Sequence, residues 1–225
     1  MRKHRVLVDR SVRRLHRLVP GLVLLVGIAL VGGGEPSSAM MQATPVDTSV
    51  AASALFVGDS HLRGAVGTLQ RRLVDRPGGL ATTFNSFGGL GVDDSTYLAA
   101  RVSGAIEASG GFDVVVIGLG TNDVIDGQVT GDAAFHIDRI IGAAGETPVL
   151  WLTLAETMVA RAAAVGFNAE LRSALDRHPT LALIDFGPEW DQHPEYFASD
   201  AVHLSPVGRA AYSDAIAGAV DSVVG

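Results

Sequence analysis

The clearest strand in this chain lies in residues 112–123, which read Phe-Asp-Val-Val-Val-Ile-Gly-Leu-Gly-Thr-Asn-Asp. A continuous valine and isoleucine run, without alternation between apolar and polar residues, indicates a strand that is buried on both faces, as in a parallel sheet. Glycine and polar residues follow the run directly, at positions 120–123. The stretch therefore predicts an interior strand that ends in a loop with chemically useful side chains.

Further strands alternate with helices along the rest of the chain. Strands are predicted at 53–57, 80–84, 148–154 and 181–185, and helices at 62–73, 97–108, 132–144, 162–175 and 206–220. Alternation of this kind indicates βαβ units, in which helices cover both faces of one sheet. We therefore predict a three-layer α/β/α sandwich around a mostly parallel, five-stranded sheet.

The composition excludes several classes of protein. The chain has 225 residues, of which 48% are hydrophobic and 18% charged, and it contains no cysteine. This length can bury a sizeable core, which excludes intrinsic disorder as the main state. The absence of cysteine excludes disulfides, thiolate metal sites and a cysteine nucleophile.

The charge is distributed unevenly. Residues 1–34 contain seven basic residues and one acidic residue, whereas residues 35–225 contain ten basic and 23 acidic residues. No lysine follows Lys3. Because phosphate contacts need clustered lysine or arginine, this acidic body is not predicted to bind nucleic acid.

The N-terminal 39 residues have the layout of a secretory signal. A basic segment precedes an apolar run at 18–31, and Ala39 offers a cleavage site after small residues. An uncleaved membrane anchor is the alternative, although a spanning helix wants about 20 apolar residues. We therefore predict a signal peptide or anchor at 1–39, a linker at 40–52 and a domain at 53–225. Both interpretations place the domain outside the cytoplasm, with membrane contact only through an uncleaved N-terminus.

Polar blocks follow three of the predicted strands, and a fourth precedes the last helix. Gly58-Asp59-Ser60 follows the first strand, residues 85–91 include the second block, residues 120–123 form the third, and residues 200–203 form the fourth. Loops at the carboxyl ends of parallel strands form the active sites of open α/β sheets. We therefore expect the blocks to meet in one site.

The residue types in these blocks suit nucleophilic catalysis. The serine hydroxyl of Ser60 needs an adjacent base, for which His203 is the candidate. A carboxylate must orient that histidine, and Asp200 lies three residues before it, within reach of one local turn. The oxyanion needs preorganised donors, for which the Ser60 N–H, a glycine N–H from residues 88–91 and the Asn122 amide are candidates.

In this order, the blocks resemble those of the SGNH/GDSL hydrolase superfamily, and the resemblance covers residues 53–220. It implies a flavodoxin-like arrangement of the predicted sheet. It also implies a serine esterase or lipase in which Ser60 is the nucleophile, His203 the base and Asp200 the residue that orients the base. It further implies that Ser60, Asn122 and a glycine hold the oxyanion. No cofactor or metal ion is implied.

Spacing in the family favours Gly91 as the oxyanion glycine, with Gly89 as the second choice. Residues 193–208 are also similar to the SGNH domains attached to membrane O-acyltransferases that modify bacterial cell-surface sugars. One departure is that the common Gly-Asp-Ser-Leu reads Gly-Asp-Ser-His here. We predict that His61 begins a helix at the rim of the cleft. Asp123 and Asp126 could tune the site electrostatically, but acid clusters in loops are usually solvated, and we expect this of both residues.

Structural interpretations compete with these assignments. Ser60 alone could be read as the N-cap of the helix that follows it. His61 beside Asp59 suggests a metal site, but adjacent side chains in an extended segment diverge, so no metal is predicted.

We predict an exported serine esterase that acts on a small-molecule or carbohydrate ester, such as a short-chain or sugar O-acetyl ester. An acidic body suits neutral or sugar esters better than anionic lipids. One alternative is an O-acyltransferase that moves an acyl group onto a cell-envelope sugar. An alternative of another class is a non-catalytic module that binds carbohydrate or the envelope.

Overall fold

A five-stranded sheet forms the centre of the described structure. The computed structural model describes residues 51–76, 78–127, 132–156 and 160–225. The strands are β1 (Ala52–Gly58), β2 (Leu80–Ser86), β3 (Val114–Gly118), β4 (Val149–Leu152) and β5 (Leu181–Ile184). Their order in the sheet is β2-β1-β3-β4-β5, and all four neighbouring pairs are parallel. This order is the flavodoxin-like order, so the predicted sheet is confirmed.

Helices connect the strands, and the five predicted helices are all present. The helices of the described residues are α1 (Ser60–Val74), α2 (Ser95–Ser109), α3 (Thr121–Asp126), α4 (Ala133–Gly142), α5 (Arg161–Arg177), α6 (Gly187–Gln192) and α7 (Pro206–Val224). The short helices α3 and α6 were not predicted, because six residues are too few to show an apolar period of 3.6.

Alternate residues of the strands enter two apolar clusters, one on each face of the sheet. In β1, Leu55 and Val57 belong to the first cluster, whereas Ala54 and Phe56 belong to the second. Helices α2, α4 and α5 contribute buried residues to the first cluster, and α1 and α7 contribute to the second. Because both faces are covered, the inner strands are apolar throughout. The three-layer α/β/α prediction is confirmed.

Strands β1, β2 and β3 end at the same level of the sheet. Gly58, the last residue of β1, pairs with Ser86 at the end of β2 and with Gly118 at the end of β3. From β1 the chain passes to β2 on one side and then to β3 on the other, so the strand order reverses here. Such a reversal opens a crevice at the carboxyl ends of the strands, where ligands bind. Three of the four polar blocks begin at this crevice.

The predicted signal or anchor at 1–39 and nearly all of the predicted linker lie outside the described residues. Among the helices that are described, none has the length and apolar character needed to cross a membrane.

Substitution of Gly58 tests how closely β1, β3 and α1 approach one another. A Cβ atom on Gly58 would lie 2.6 Å from the Cβ of Leu62 and 3.0 Å from the carbonyl oxygen of Gly118. We expect Gly58→Ala to lower the free energy of unfolding by about 1–3 kcal/mol, the usual cost of overpacking. Urea denaturation with an unchanged m-value measures this loss.

Gly104→Ala is the matched control, because a Cβ on this residue of α2 would meet nothing within 4 Å. Since alanine is the better helix former, we expect a gain of about 0.5–1 kcal/mol. Equal stability of Gly58→Ala and the wild type would contradict the close approach.

Candidate active site

Ser60 is the first residue of helix α1 and follows β1 after a single residue. Asp59 is the N-cap, and its Oδ1 accepts a hydrogen bond from the His61 backbone N–H at 2.8 Å. The interpretation of Ser60 as the cap is therefore wrong. The first N–H groups of a helix have no acceptor within the helix, so the Ser60 N–H is not used by α1. Ser60 itself is half-buried, at the sheet edge that opens the crevice.

Asp200 and His203 form a hydrogen-bonded pair within one tight loop. Asp200 Oδ2 lies 2.8 Å from His203 Nδ1, and Asp200 Oδ1 accepts the backbone N–H groups of Val202 and His203 at 3.0 and 2.9 Å. The loop is closed by a bond from the Ala198 N–H to the His203 carbonyl at 2.7 Å. Ala201, inside the turn, has a φ of 55°, a conformation that is uncommon for residues other than glycine.

This geometry determines which ring nitrogen of His203 is available. The hydrogen bond from His203 and the two backbone N–H groups hold the pKa of Asp200 well below its usual range. An ionised carboxylate only accepts hydrogen bonds, so His203 Nδ1 carries a proton and donates it to Asp200. In the neutral ring, Nε2 is then free to accept a proton. The two side chains are 51% and 57% exposed, so a ligand can reach the pair.

The loop of Asp200 and His203 meets the start of helix α1. His61 Nε2 lies 2.7 Å from the carbonyl oxygen of Val202, so the residue after Ser60 contacts the residue before His203. Among the described residues, Ser60 Oγ and His203 Nε2 share no hydrogen bond. Catalytic hydrogen bonds are often long before a substrate is bound, so the lack of this bond does not exclude the predicted pair.

Asn122 contacts the loop that follows β2. Its side-chain Nδ2 donates to the Leu90 carbonyl oxygen at 2.9 Å. An amide group has two N–H bonds, so a second one remains for a substrate oxygen. Asn122 is the second residue of α3, which begins just beyond the end of β3. The structure therefore brings the third polar block against the second, as expected from their place after neighbouring strands.

Gly91 and Gly89, the two candidate oxyanion glycines, have different surroundings. Gly91 is buried, and a Cβ on it would lie 2.5 Å from Asp93 Oδ1 and 2.7 Å from Asp123 Oδ1. Gly89 is exposed, has a φ of 76°, and has no atom near a would-be Cβ. Close packing thus requires glycine at position 91, whereas backbone conformation favours it at position 89.

Asp123 holds the same loop through hydrogen bonds to two backbone N–H groups. Its Oδ2 accepts the Val92 N–H at 2.9 Å and its Oδ1 accepts the Asp93 N–H at 3.1 Å. Asp123 is buried, and burial raises its pKa despite these bonds. The prediction that Asp123 is a solvated loop acid is wrong, because two unpaired backbone N–H groups from a distant part of the chain need an acceptor there.

Comparison with known proteins identifies the family. The sequence profile of the GDSL-like Lipase/Acylhydrolase family matches residues 49–211, more than half of the chain. The chain belongs to this family. Membership of this family makes the chain a carboxylic ester hydrolase, so the predicted type of enzyme is confirmed. A comparison with curated proteins finds no match.

Solved structures share the fold at low sequence identity. A lipase/acylhydrolase from Enterococcus faecalis has a TM-score of 0.65 and 18% identity, over 76% of this chain and 96% of its own. The C-terminal catalytic domain of Streptococcus pneumoniae peptidoglycan O-acetyltransferase A has a TM-score of 0.60 and 21% identity, over 77% and 95%. A carbohydrate esterase family 3 protein from Talaromyces cellulolyticus has a TM-score of 0.61 and 13% identity, over 77% and 98%. At these identities the likeness establishes the fold alone.

In this GDSL-family fold, His61 does not lie at the rim of the cleft, where the sequence predicts it. It does begin a helix, but it is 4% exposed rather than at the rim of the cleft. Its ring packs against Trp190 and Tyr212, with centroid distances of 5.3 and 6.5 Å. No local pattern in the sequence predicts this burial, because both aromatic partners come from elements that are distant in the sequence.

The described residues contain no group of three histidine, aspartate or glutamate side chains that could hold a metal ion. Three carboxylates of the polar blocks each accept at least one hydrogen bond from the backbone. Asp59 accepts from the His61 N–H, Asp123 from the Val92 N–H and Asp200 from the Val202 N–H.

The buried carboxyl group of Asp59 predicts a pH dependence of stability. Burial raises the pKa of Asp59 above its ordinary value, although His61 and the cap hydrogen bonds oppose this shift. The folded state therefore binds a proton more tightly than the unfolded state. The contribution of Asp59 to stability is therefore greatest below the ordinary pKa of aspartate and is lost as pH rises through the raised pKa. Asparagine keeps an oxygen for the cap and cannot ionise. We expect the free energy of unfolding of Asp59→Asn, relative to the wild type, to increase across that range.

Urea denaturation at a series of pH values measures this difference. Asp176→Asn is the control, because it removes one negative charge from an exposed position on α5. A pH-independent difference between Asp59→Asn and the wild type would show that Asp59 does not titrate as a buried group.

Proposed function

We propose that this chain is an exported serine esterase that hydrolyses carboxylic esters through a Ser60, His203 and Asp200 triad. The observation that carries the proposal is the 2.8 Å bond between Asp200 Oδ2 and His203 Nδ1, on a loop in contact with the turn that presents Ser60. Membership of the GDSL-like Lipase/Acylhydrolase family supports ester chemistry at this site. A binding module would have no use for a histidine that a carboxylate orients on a loop in contact with the turn of Ser60.

In the first step, Ser60 Oγ attacks the carbonyl carbon of the ester and its proton passes to His203 Nε2. The positive charge on the ring is stabilised by Asp200, which stays ionised because of its lowered pKa. The tetrahedral intermediate then breaks its bond to the alkoxide, which takes the proton from His203. An acyl group remains on Ser60.

In the second step, His203 takes a proton from a water molecule that attacks the acyl carbon. The second tetrahedral intermediate releases the carboxylic acid, and Ser60 Oγ recovers its proton from His203. Neither step needs a cofactor. The negative charge on the carbonyl oxygen develops twice, so its stabilisation contributes to both barriers.

The proposed oxyanion donors are the Ser60 N–H, the Gly91 N–H and the free N–H of the Asn122 side chain. Each donor lies in a helix or in a segment that hydrogen bonds hold in place. Ser60 begins α1, Asn122 is held by the Leu90 carbonyl, and the neighbours of Gly91 are held by Asp123. We prefer Gly91 to Gly89, because it is buried beside the carboxylate that orders the loop.

The proposed substrate is a short-chain or sugar O-acetyl ester outside the cytoplasm. The charge distribution supports this proposal, since a strongly acidic body disfavours anionic lipid surfaces. The basic and apolar N-terminal residues support export. The carbohydrate esterase among the similar folds is in keeping with a sugar ester.

An O-acyltransferase is the second candidate, with the hydroxyl group of an envelope sugar in place of water. The similarity in fold to the peptidoglycan O-acetyltransferase A domain is the observation that favours it. Both activities share the acyl-enzyme, so the choice depends on whether water or a sugar hydroxyl reaches the acyl carbon.

Replacement of Ser60 tests the nucleophile. We expect Ser60→Ala to reduce kcat on nitrophenyl acetate and on acetylated xylan by about four to six powers of ten, because the acyl-enzyme cannot form. Mass spectrometry of the wild type after a short pulse of substrate should show the acyl group on Ser60.

Ser103→Ala is the control, because Ser103 is exposed on α2 and donates only to its own helix. Turnover that survives Ser60→Ala would refute the nucleophile, and no turnover of any ester by the wild type would favour the binding module. Product on an added acceptor sugar would favour the transferase.

Asn122→Ala tests the oxyanion donor. Loss of one preorganised donor should lower kcat by about 100- to 1000-fold with little change in KM, because the bond forms only as the oxyanion develops. Circular dichroism and thermal unfolding serve as the control for folding. An unchanged kcat in a folded variant would remove Asn122 from the proposed oxyanion hole.

A further inference from the structure

His61 links two segments that are far apart in the sequence. It follows Ser60 in the first turn of α1, and its Nε2 lies 2.7 Å from the carbonyl oxygen of Val202. A carbonyl oxygen only accepts hydrogen bonds, so Nε2 carries the proton and donates it. The link therefore runs from the neighbour of the proposed nucleophile to the neighbour of the proposed base.

The loop at 198–203 is closed at its base by an antiparallel bridge between Phe197 and Leu204, and few contacts hold the rest of it. Ala198, Ser199, Asp200 and Ala201 are exposed, and the remaining hydrogen bonds of the loop join its own residues. Among the hydrogen bonds of the described residues, the one from His61 alone connects this loop to another element. Loops with exposed backbone and few packed side chains open readily. Beyond the base of the loop, the His61 bond is therefore the restraint that ties the segment of His203 to α1.

Both backbone polar groups of Val202 are hydrogen-bonded. Its N–H donates to Asp200 Oδ1 at 3.0 Å, and its carbonyl accepts from His61 Nε2 at 2.7 Å. The next N–H, that of His203, also donates to Asp200 Oδ1 at 2.9 Å. Loss of the His61 bond would leave the Asp200–His203 pair intact but free to move as a unit away from Ser60.

His61 is itself rigid and does not face the cleft. The side chain is packed against Trp190 and Tyr212, and its backbone N–H donates to Asp59. On the other side of the ring, Nδ1 lies 3.5 Å from Thr121 Oγ1. At 4% exposure, His61 has no surface with which to bind a substrate. Any effect of this residue on the reaction must act through the loop.

We propose that His61 is a positioning residue, whose Nε2–H anchors the Val202 carbonyl and so sets the distance between Ser60 Oγ and His203 Nε2. This inference rests on the proposed function, since it assigns roles to Ser60 and His203. The residue that holds the loop directly follows the serine of the first polar block. Displacement of a reacting group by about 1 Å can cost about 100-fold in rate.

The test compares His61→Leu with His61→Gln. Leucine fills the site with apolar atoms and removes the donor, whereas glutamine can place a side-chain N–H close to the position of Nε2. We expect His61→Leu to lower kcat on nitrophenyl acetate by about 10- to 100-fold while KM stays close to that of the wild type. His61→Gln should recover most of the lost kcat.

Hydrogen exchange provides a readout that does not depend on turnover. The amide protons of Val202 and His203 are bonded to Asp200 inside the loop, so their exchange rates report how well the loop is held. We expect faster exchange at both amides in His61→Leu and rates close to those of the wild type in His61→Gln. Leu69→Val is the control for lost stability, because Leu69 is buried on the same helix away from the cleft. It should lower the thermal midpoint without a change in kcat or in exchange at these amides.

Two results would overturn the proposal. One is wild-type kcat and exchange in His61→Leu, and the other is a folded His61→Gln that is as impaired as His61→Leu. If Ser60→Ala retains turnover, the proposed function fails, and the exchange data by themselves then test whether His61 anchors the loop. Faster exchange in His61→Leu but not in His61→Gln would support the anchor, and unchanged exchange in His61→Leu would reject it.

Discussion

The pairing of Gly58 with both Ser86 and Gly118 is the constraint on which the site depends. It ends three parallel strands at one level, so the segments after β1, β2 and β3 leave the sheet side by side. Gly58 and Gly118 lack side chains where α1 and Tyr212 approach most closely. Without these close approaches, α1 could not begin directly beyond β1, and Ser60 would not stand in the crevice between the polar blocks. The geometry of the site therefore follows from the packing of the sheet and its first helix.

Carboxylates that accept backbone N–H groups hold the loops around this crevice. Asp59 binds the first turn of α1, Asp123 binds the loop after β2, and Asp200 binds its own loop. Burial raises the pKa of Asp59 and Asp123, because both carboxyl groups are removed from water. Their hydrogen bonds order the neighbouring backbone. Asp200 is exposed and also bonds His203, which lowers its pKa. One type of interaction thus serves structure in the first two cases and, in the proposed mechanism, catalysis in the third.

Much of the fold could be predicted from sequence, because the strands and long helices have strong and separate patterns. The valine run of β3 is apolar since both faces of the sheet are covered, and α7 begins at Ser205 and Pro206, which suit its first turn. The short helix α3 has no such pattern, although it carries Asn122. The role of Asp123 was missed for a related reason, since it depends on N–H groups about 30 residues away. The burial of His61 likewise depends on Trp190 and Tyr212, which no local window contains.

The sequence by itself determined the fold class and the family, and it proposed Ser60, Asn122, Asp200 and His203 as the site residues, because strand periodicity and short motifs are local properties of the chain. Only the tertiary structure decided that Asp59 rather than Ser60 caps α1, that Asp123 orders the loop of Gly91, and that His61 holds the Val202 carbonyl. Each of these depends on which backbone groups lack a partner once the sheet is assembled. Unpaired N–H and carbonyl groups need acceptors and donors from whatever side chain lies near, and that proximity exists only in the folded chain.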